Sequence, residues 1–375
     1  MLRALVASFI AATLTAPALA EVQSIETEAG PVTVTKMAGD LDKPWGAALM
    51  PGGDLLVTEL SGKLLRVTPD GTKSAPLAGT PEVFTKGQGG LMDVALHPDF
   101  ENNRLVYLSF AEGGPDGGAS TALGRGRLEN DRIEDFEVIF RQQPKVTGPN
   151  HFGNRIVFSP DGYLFLTLGE RFKFDPAQDR SNTLGAVVRL NDDGSIPQDN
   201  PFVGDDGAED AIWSYGHRNI EAAAIDPKTG QLWIAEMGPL GGDEFNAIEK
   251  GANYGWPTVS KGRHYSGENI PDPSTRSDFH EAALYWTPVI SPSGMVFYEG
   301  DAFPEWRGDA FIGALSGTAL VRVETTGETA REAGRIPLGA RIRDVVEAAD
   351  GSIYVLTNSK TEPGNIWRLA PLQQR

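Results

Sequence analysis

The sequence predicts an all-β fold, namely a six-bladed β-propeller of four-stranded antiparallel blades. Glycine and proline are plentiful in the 375-residue chain, at 44 and 26 residues, and helical periodicity is scarce. One pattern recurs: a turn rich in Pro, Gly, Asp or Asn, followed by a short apolar or β-branched run that reads as a strand. The repeats lie roughly 45 to 75 residues apart, which suits four-stranded blades of about 40–50 residues with loops between their strands.

The pattern occurs six times along the chain. It covers residues 51–59, 97–110, 159–168, 226–236, 303–315 and 349–358. A single blade cannot cover its own apolar face, so neighbouring blades must stack in a ring, and closure of the ring removes exposed strand edges. We expect residues 32–35 to close it by joining the blade built from 341–369. A two-sheet sandwich would not explain six nearly equivalent hairpins.

Four longer insertions are rich in Gly, Asp and Pro and are interpreted as loops. They are residues 112–120, 171–183, 198–210 and 257–285. Loops that connect the strands of a rigid scaffold commonly carry the functional residues. We therefore expect these segments to gather at one end of the ring and to build the site.

The N-terminus has the pattern of a secretory signal peptide. Arg3 supplies a basic start, residues 4–15 are mostly apolar, and Ala18-Leu19-Ala20 forms a small-x-small cleavage site. This predicts a signal peptide at 1–20, a single propeller domain at 21–375, and a periplasmic or secreted protein. The apolar run is shorter than the ~20 residues of a membrane span, so no span is predicted.

Charge and cysteine content exclude several functions. The formal net charge is −18, which argues against nucleic acid or an anionic membrane as partner. The chain has no cysteine, which excludes cysteine-ligated zinc and thiol catalysis. The excess of carboxylates would suit a hard cation such as calcium, although solubility alone explains it equally well.

The segment 148–170 provides the candidate for proton abstraction. We predict a loop that holds His151, a strand at 154–158, a turn at 160–162, and a strand at 163–168 that ends beside Glu170. Such a hairpin doubles back and can return the Glu170 carboxylate to the imidazole. A carboxylate beside a histidine fixes its tautomer and stabilises the imidazolium, as general base catalysis requires. The alternative is that His151 is a loop histidine bonded only to backbone.

Several planar polar side chains suggest an anionic or planar ligand. Gln88 lies in a glycine-rich segment and offers both a donor and an acceptor. Arg218 and Asn219 are expected at a strand end, where the guanidinium could clamp a carboxylate or form a structural ion pair. Arg341 and Arg343 should alternate along a strand and point the same way, which is best tolerated around something anionic.

The segment 236–244 and the following turn offer oxygen ligands. Its backbone carbonyls are not all expected to be satisfied by a sheet, and Glu244 and Tyr254 lie close together in sequence. Carbonyls combined with carboxylates suit calcium, which takes six to eight oxygens. No two histidines have zinc-ligand spacing, which disfavours zinc.

Together these segments resemble the soluble pyrroloquinoline quinone (PQQ)-dependent sugar dehydrogenases, the glucose/sorbosone or aldose sugar dehydrogenase family. Matching motifs run from 44–46 to 341–345 and 351–357, nearly the whole predicted mature chain. The resemblance implies a six-bladed propeller that oxidises the anomeric hydroxyl of aldoses to the lactone, with PQQ and Ca²⁺ as cofactors. It leaves the electron acceptor unidentified and is compatible with a monomer or a homodimer.

The resemblance also implies roles for individual residues. His151 would take the proton of the sugar C1 hydroxyl, and Glu170 stands where the family has an aspartate bonded to that histidine. Quinone contacts would come from Gln88, Arg218, Asn219, Arg341 and Arg343. Gly238 and Pro239 match carbonyl ligands of the calcium that touches the quinone, and Glu244 and Tyr254 match a second calcium site. Ser316 stands where the family commonly places a quinone-contacting lysine.

Two alternatives from other functional classes remain open at this point. One is a calcium-dependent propeller hydrolase of the lactonase kind, in which His151 would activate water. The other is a non-catalytic propeller that binds carbohydrate or protein and has lost its cofactor, a possibility raised by Ser316.

Overall fold

The computed structural model describes residues 22–372, and within them the six-bladed propeller is confirmed. The predicted signal peptide lies outside the described residues. The sheets are antiparallel, and the six main apolar clusters each lie between two neighbouring blades. This is the packing expected of units that bury their faces only against one another. No helix in this range has the length and apolar character needed to cross a bilayer.

The strands follow one another in chain order around the ring. The N-terminal strands are β1 (Val22–Thr27) and β2 (Gly30–Leu41). Blade 1 contains β3 (Pro44–Leu49), β4 (Leu55–Glu59) and β5 (Leu64–Val67). Blade 2 contains β6 (Leu91–Leu96), β7 (Leu105–Gly113), β8 (Ala119–Glu129) and β9 (Arg132–Arg141). Blade 3 contains β10 (Gly153–Phe158), β11 (Leu164–Leu168), β12 (Ala186–Leu190) and β13 (Ile212–Tyr215).

The second half of the chain continues the ring. Blade 4 contains β14 (Ile220–Ile225), β15 (Leu232–Glu236), β16 (Asp243–Ala247) and β17 (Leu284–Trp286). Blade 5 contains β18 (Pro292–Phe297), β19 (Ala310–Ala314), β20 (Ala319–Thr326) and β21 (Thr329–Pro337). Blade 6 contains β22 (Ile342–Glu347), β23 (Ile353–Thr357) and β24 (Gly364–Pro371). The helical pieces are α1 (Phe100–Asn103) and 3-10 turns at Pro115–Gly117, Asp175–Gln178, Pro273–Thr275 and Pro304–Trp306.

The two ends of the described chain close the ring, as predicted. Strand β2 pairs with β24 from Val32–Pro371 to Leu41–Gly364, and β1 adds a fifth strand outside it. Blade 1 has three strands instead of four. The chain after β5 carries Pro69, Pro76 and Pro81, which cannot donate to a strand ladder, and this segment leaves the blade to bridge β9 at Ala78–Arg132.

Every innermost strand contains a β-bulge near its start. The pairing skips one residue in β3, β6, β10, β14, β18 and β22. A bulge places an extra residue opposite one partner residue and re-aims its side chain. Side chains from these bulges meet one another across the ring, for example Arg155 over the Trp45 ring at 4.2 Å and Arg343 bonded to Glu221. The bulges therefore line the central channel.

The long insertions meet one another. Arg171 donates to the carbonyl of Ala119, Arg180 pairs with Asp205 at 3.2 Å, and Phe174 packs edge-on against His264 at 5.8 Å. The segment 171–183 thus contacts the other three. Residues 112–120 differ in part from the loop that was predicted, since Glu112, Gly113, Ala119 and Ser120 extend the β7–β8 hairpin.

Candidate active site

The His151 and Glu170 side chains lie together at one end of blade 3. His151 precedes β10, and Glu170 follows β11, so the hairpin brings Nδ1 of His151 to 2.5 Å from Oε1 of Glu170. The other carboxylate oxygen accepts from the backbone N–H groups of Lys173 and Phe174. Gly169 permits this approach, because a Cβ there would lie 2.2 Å from the His151 carbonyl oxygen. Glu170 is fully buried, and His151 is 6% exposed.

These contacts fix the protonation state of the imidazole. An ionised carboxylate can only accept, so Nδ1 carries the proton and Nε2 holds a free lone pair. Nε2 of His151 has no hydrogen-bond partner within residues 22–372. Burial lowers the pKa of His151, and the positive charge of Arg218 lowers it further, while the hydrogen bond to Glu170 acts in the opposite direction. The net lowering keeps Nε2 unprotonated at neutral pH.

A second histidine–glutamate pair occupies the equivalent place in blade 4. His217 precedes β14 and Glu236 ends β15, with Nδ1 of His217 2.8 Å from Oε1 of Glu236. Here Nε2 is also engaged, by the hydroxyl of Ser214 at 2.9 Å, and the ring is fully buried. His217 therefore has a structural role, and His151 differs from it by its free nitrogen.

Gln88, Arg218 and Asn219 surround this pair. The side-chain oxygen of Gln88 accepts from the His151 backbone N–H at 2.6 Å. Asn219 accepts from the N–H of Gly153 at 3.2 Å and donates to Glu221 at 2.9 Å. Both side chains hold backbone of the β10 loop in place.

The Arg218 guanidinium spans the gap between blade 4 and the 257–285 insertion. Its Nη1 donates to the carbonyls of Met237 and Gly238 at 2.8 and 2.9 Å, and Nη2 lies 3.2 Å from the Tyr265 hydroxyl. The structural-ion-pair alternative does not apply, because no carboxylate within the described part of the chain forms a salt bridge with Arg218.

Arg341 and Arg343 reach the same region, although not by the expected strand alternation. Arg341 lies before β22, and Arg343 occupies the bulge of that strand. Arg343 pairs with Glu221, and Arg341 donates to the carbonyl of Leu315 at 3.2 Å. Burial and the neighbouring charge of Arg343 lower the pKa of Arg341, so the two cations are close. The bulge, which a two-residue period cannot anticipate, is the reason for the difference.

The three arginines retain unused donors. The Nε atoms of Arg218, Arg341 and Arg343 are buried and have no hydrogen-bond partner among the described residues. Buried hydrogen-bond donors without a partner are uncommon in native proteins, so their presence here needs a physical explanation. A planar ligand with several carboxylates, such as PQQ, has the chemistry that such donors fit.

The Asp243 side chain holds in place the loop that carries Gly238 and Pro239. Asp243 accepts from the N–H groups of Gly238, Ile290 and Ser291, each at 2.7–2.8 Å. Burial raises the pKa of Asp243 to about 6. The Gly238 carbonyl accepts from Arg218, and a carbonyl oxygen has a second lone pair that could bind a cation.

Glu244 and Tyr254 lie deeper in blade 4. Glu244 is paired across the strands with Glu236, and within residues 22–372 its carboxylate has a single weak partner, Asn246 at 3.3 Å. Burial and the Glu236 charge raise the pKa of Glu244 well above its usual range. Two adjacent carboxylates, one buried and one half-buried, suit a hard cation. The Tyr254 hydroxyl is already engaged by the Ala247 carbonyl and the Glu249 N–H, and so is not free to join such a site.

Comparison with known proteins identifies the family. The family model described as glucose/sorbosone dehydrogenase matches residues 41–368. The aldose sugar dehydrogenase YliI of Escherichia coli (strain K12) is 43% identical over 347 residues, which cover 91% of this chain and 93% of that protein. The chain belongs to the glucose/sorbosone dehydrogenase family. It is accordingly an oxidoreductase.

Solved structures of glucose/sorbosone dehydrogenase family members have the same fold. The apo crystal structure of the soluble aldose sugar dehydrogenase from Escherichia coli matches with a TM-score of 0.88 and 43% identity, over 91% of this chain and all of that one. The PQQ-bound aldose sugar dehydrogenase from Streptomyces coelicolor matches with a TM-score of 0.76 and 29% identity, over 94% and 99% of the two chains.

The channel of this glucose/sorbosone dehydrogenase family member also contains charged residues that sequence reasoning missed. They are Asp93, Arg155, Glu221 and Asp344, all buried. Arg155 forms ion pairs with Asp93 at 3.1 Å and Asp344 at 2.9 Å. A signal was present, because each of these charges stands near the start of an inner strand and is followed directly by apolar residues. A charge at that place in a β-run indicates a bulge or a buried pair.

Proposed function

We propose that the protein is an exported, PQQ-dependent aldose sugar dehydrogenase that oxidises the anomeric C1 hydroxyl of a sugar to the lactone. The observation that carries this proposal is the His151–Glu170 pair, whose Nε2 has no partner among the described residues, at the same end of the propeller as three arginines that hold unused donors. The PQQ named for the Streptomyces coelicolor relative supports the choice of cofactor. The predicted signal peptide at 1–20, with the single domain at 21–375, supports export.

His151 would act as the general base. Its Nε2 would accept the proton of the C1 hydroxyl, and Glu170, held by two backbone N–H groups, would stabilise the imidazolium that results. Burial of both groups excludes water and strengthens this interaction. Gln88 would keep the His151 backbone in position.

The cofactor would be held by the arginines and by the 238–239 loop. Arg218, Arg341 and Arg343 would bind carboxylates of the quinone, with Asn219 beside them, and Gly238 and Pro239 would bind the calcium that contacts it. When bound, PQQ supplies the hydride acceptor, and calcium increases its electrophilicity. Glu244 would hold a second, structural calcium, to which Tyr254 could add only its backbone carbonyl, because its hydroxyl is engaged.

Reconstitution tests the proposal directly. Purified protein supplied with PQQ and calcium should oxidise aldoses when an artificial dye accepts the electrons. The same preparation can be used to determine the natural electron acceptor and the oligomeric state, monomer or homodimer. Binding of PQQ without turnover of any aldose would contradict the enzymatic proposal, and hydrolysis of a lactone by quinone-free protein would favour the lactonase alternative.

Calcium removal is expected to lower the melting temperature, and added calcium should restore it. A ligand that binds only the native state stabilises by about 2.7 kcal/mol at a hundredfold excess over its dissociation constant. Glu244→Gln should abolish part of this calcium response without destabilising the metal-free protein, because it removes a poorly paired, half-buried carboxylate. Differential scanning calorimetry with and without chelator measures both effects.

The control for the calcium experiment is Glu101→Gln, which neutralises an exposed carboxylate in α1. It should retain the full calcium response. An identical melting curve with chelator and with calcium would remove both calcium sites from the proposal.

Ser316→Lys is expected to tighten quinone binding roughly ten- to hundredfold. A charge-assisted hydrogen bond contributes about 1.5–3 kcal/mol, and 1.4 kcal/mol corresponds to a factor of ten. Ser316 is exposed, and its hydroxyl bonds Ser291 at 2.8 Å and the Val289 carbonyl at 3.1 Å, so a longer side chain has room to extend. Absorbance titration with PQQ in excess calcium gives the dissociation constants.

Ser316→Met is the matched control, since it adds length without charge. Tighter binding in the methionine variant as well would refute the electrostatic explanation, and the sugar preference should be the same in all three proteins.

A further inference from the structure

Three side chains that can bind a metal meet at the outer edge of blades 4 and 5. They are Glu249, His280 and Glu328, and one potential ligand atom from each lies within 4.8 Å of the others. Glu249 follows β16, His280 precedes β17, and Glu328 lies in the turn between β20 and β21. Sequence spacing does not indicate such a group, because its members come together only when the two blades pack.

The group lies at the end of the propeller opposite to the candidate active site. Strand β16 starts at Asp243, which holds the Gly238 loop of that site, and runs away from it to Ala247. Glu249 follows two residues later, so the two side chains that meet it also lie at the far end. The group is therefore separate from the residues proposed to bind quinone and calcium.

The imidazole of His280 is oriented in the way that is usual for a metal ligand. Its backbone N–H donates to the Asn253 carbonyl at 2.8 Å, and its ring centroid lies 5.0 Å from that of Tyr254. Nδ1 is 3.2 Å from the Glu281 carbonyl oxygen, which can only accept, so Nδ1 carries the proton. Metal-binding histidines commonly donate their other ring N–H to a carbonyl or a carboxylate. This arrangement leaves the lone pair of Nε2 for the group.

With a neutral imidazole, the three ligand atoms are all acceptors. No Lys or Arg among residues 22–372 forms a salt bridge with Glu249 or Glu328. The neighbouring Lys250 instead donates to the Asp199 carbonyl and lies over the Trp213 ring. Two carboxylates and a nitrogen lone pair at this separation repel one another, and a cation between them would turn the repulsion into attraction.

The backbone fixes the distance between the two blades at this place. Trp286 of β17 donates to Glu332 of β21 at 2.7 Å, which joins the outer strands of blades 4 and 5. Glu328 stands in the two-residue turn between β20 and β21, where Gly327 has a φ of 57°. The carboxylates of the group are exposed, so their side chains can adjust to a shared ion while the backbone stays in place.

The ligand set favours zinc over calcium. One imidazole nitrogen with two carboxylate oxygens is typical of Zn²⁺, whereas calcium takes six to eight oxygens. Tetrahedral zinc with bonds of about 2.0–2.2 Å places its ligand atoms roughly 3.4 Å apart. Nε2 of His280 and a carboxylate oxygen of Glu249 already have this spacing, at 3.5 Å. Water can complete the fourth position.

We propose that Glu249, His280 and Glu328 form a zinc site that links blade 4 to blade 5 at the far end of the propeller. The ion neutralises two clustered carboxylates and cross-links the blades in a chain that has no cysteine to form a disulfide. The site does not depend on the proposed dehydrogenase function, and its test requires no turnover.

Calorimetric titration of zinc chloride into chelator-treated protein, resupplied with excess calcium, tests the site. His280→Gln removes the nitrogen ligand and should weaken zinc binding by about a hundredfold or more, since loss of an outer-shell partner alone costs about 10–100-fold. His264→Gln is the matched control, because His264 is also half-buried and lies in the same insertion, and it should bind zinc like wild type. His151→Gln should also retain the site, which separates it from any zinc bound at the candidate base.

Melting temperatures provide the second measurement. Zinc should raise the melting temperature of wild type in excess calcium, and Glu328→Gln should lose this rise. Without zinc, Glu328→Gln should be at least as stable as wild type, because it removes one of two repelling carboxylates from an exposed turn. Glu101→Gln, which neutralises an exposed carboxylate in blade 2, should keep the full zinc response.

Two results would overturn the zinc site. One is that wild type does not bind zinc, or that zinc binds equally well to His280→Gln and Glu328→Gln. The other is a melting temperature of zinc-free Glu328→Gln below that of wild type, with no zinc response in wild type. That result would show that a protonated His280 forms an ion pair with the two carboxylates instead.

Discussion

His151→Gln is expected to lower kcat/KM for aldoses by about 10²–10⁴-fold, the usual contribution of a general base. Glutamine can still accept or donate at the position of Nδ1, but it has no basic nitrogen to accept the substrate proton. Quinone binding and the melting temperature should change little, because the imidazole Nε2 has no partner within the described residues. Steady-state kinetics and a quinone titration on the same preparation separate the two effects.

The pH dependence of kcat/KM distinguishes a catalytic from a structural role for His151. The pKa of His151 is lowered from its ordinary value of 6.5, chiefly by burial, so the acidic limb of kcat/KM should lie below pH 6.5. The rate should fall as the pH drops through that limb, because protonation removes the base. The hydrogen bond that His151 donates to Glu170 raises this pKa, so Glu170→Gln should move the limb to still lower pH while reducing the rate.

His217→Gln is the matched control for His151→Gln. Both of its ring nitrogens are bonded, one to Ser214 of blade 3 and the other to Glu236 of blade 4, so its replacement should lower the melting temperature and leave the position of the acidic limb unchanged. Two results would show that His151 is not the base. One is wild-type turnover in His151→Gln, and the other is an acidic limb of kcat/KM that shifts in His217→Gln.

Local turn chemistry made much of the fold predictable. The Pro160-Asp161-Gly162 turn predicts strands at 154–158 and 163–168, and the structure has them at Gly153–Phe158 and Leu164–Leu168. The contact between Glu170 and His151 follows from the same hairpin. Because its two strands are antiparallel, the residue before the first strand and the residue after the second lie side by side. Ring closure by residues 32–35 was predictable because an edge strand needs a partner.

The charge network in the channel could not be derived in the same way. Strand alternation assigns side chains to faces with a period of two, and one inserted residue reverses the assignment for everything beyond it. Arg341 and Arg343 illustrate this, because the bulge after Ile342 breaks the alternation on which their common direction was predicted. The partners of Arg155 are also distant in sequence and come together only when the ring closes.

Arg155 connects five of the six blades through one guanidinium. From blade 3 it pairs with Asp93 of blade 2 and Asp344 of blade 6, and its Nε donates to the Glu221 carbonyl of blade 4 at 2.8 Å. It also lies 4.2 Å from the Trp45 ring of blade 1. Arg155 is 4% exposed, so these contacts are made away from water.

Arg155→Met is expected to reduce the free energy of unfolding by about 3–5 kcal/mol, the usual cost of removing one partner from a buried ion pair. Methionine fills much of the space, but Asp93 and Asp344 would then face each other as buried carboxylates. Burial already raises the pKa of Asp344 to about 6, and the Arg155 charge opposes that rise. Without Arg155, ionisation of both carboxylates at neutral pH would oppose folding.

The sign of the pH effect distinguishes this explanation from simple loss of packing. A carboxyl whose folded pKa exceeds its unfolded value costs stability above that pKa, and protonation removes the cost as the pH falls. The loss of unfolding free energy in Arg155→Met relative to wild type should therefore become smaller between pH 7 and pH 5. Urea denaturation at each pH measures it. Adding Asp93→Asn and Asp344→Asn to Arg155→Met should recover most of the loss at pH 7, because no buried charge is then left unpaired. If the loss of unfolding free energy is the same at both pH values and remains in the triple variant, the contribution of Arg155 comes from packing against Trp45 instead.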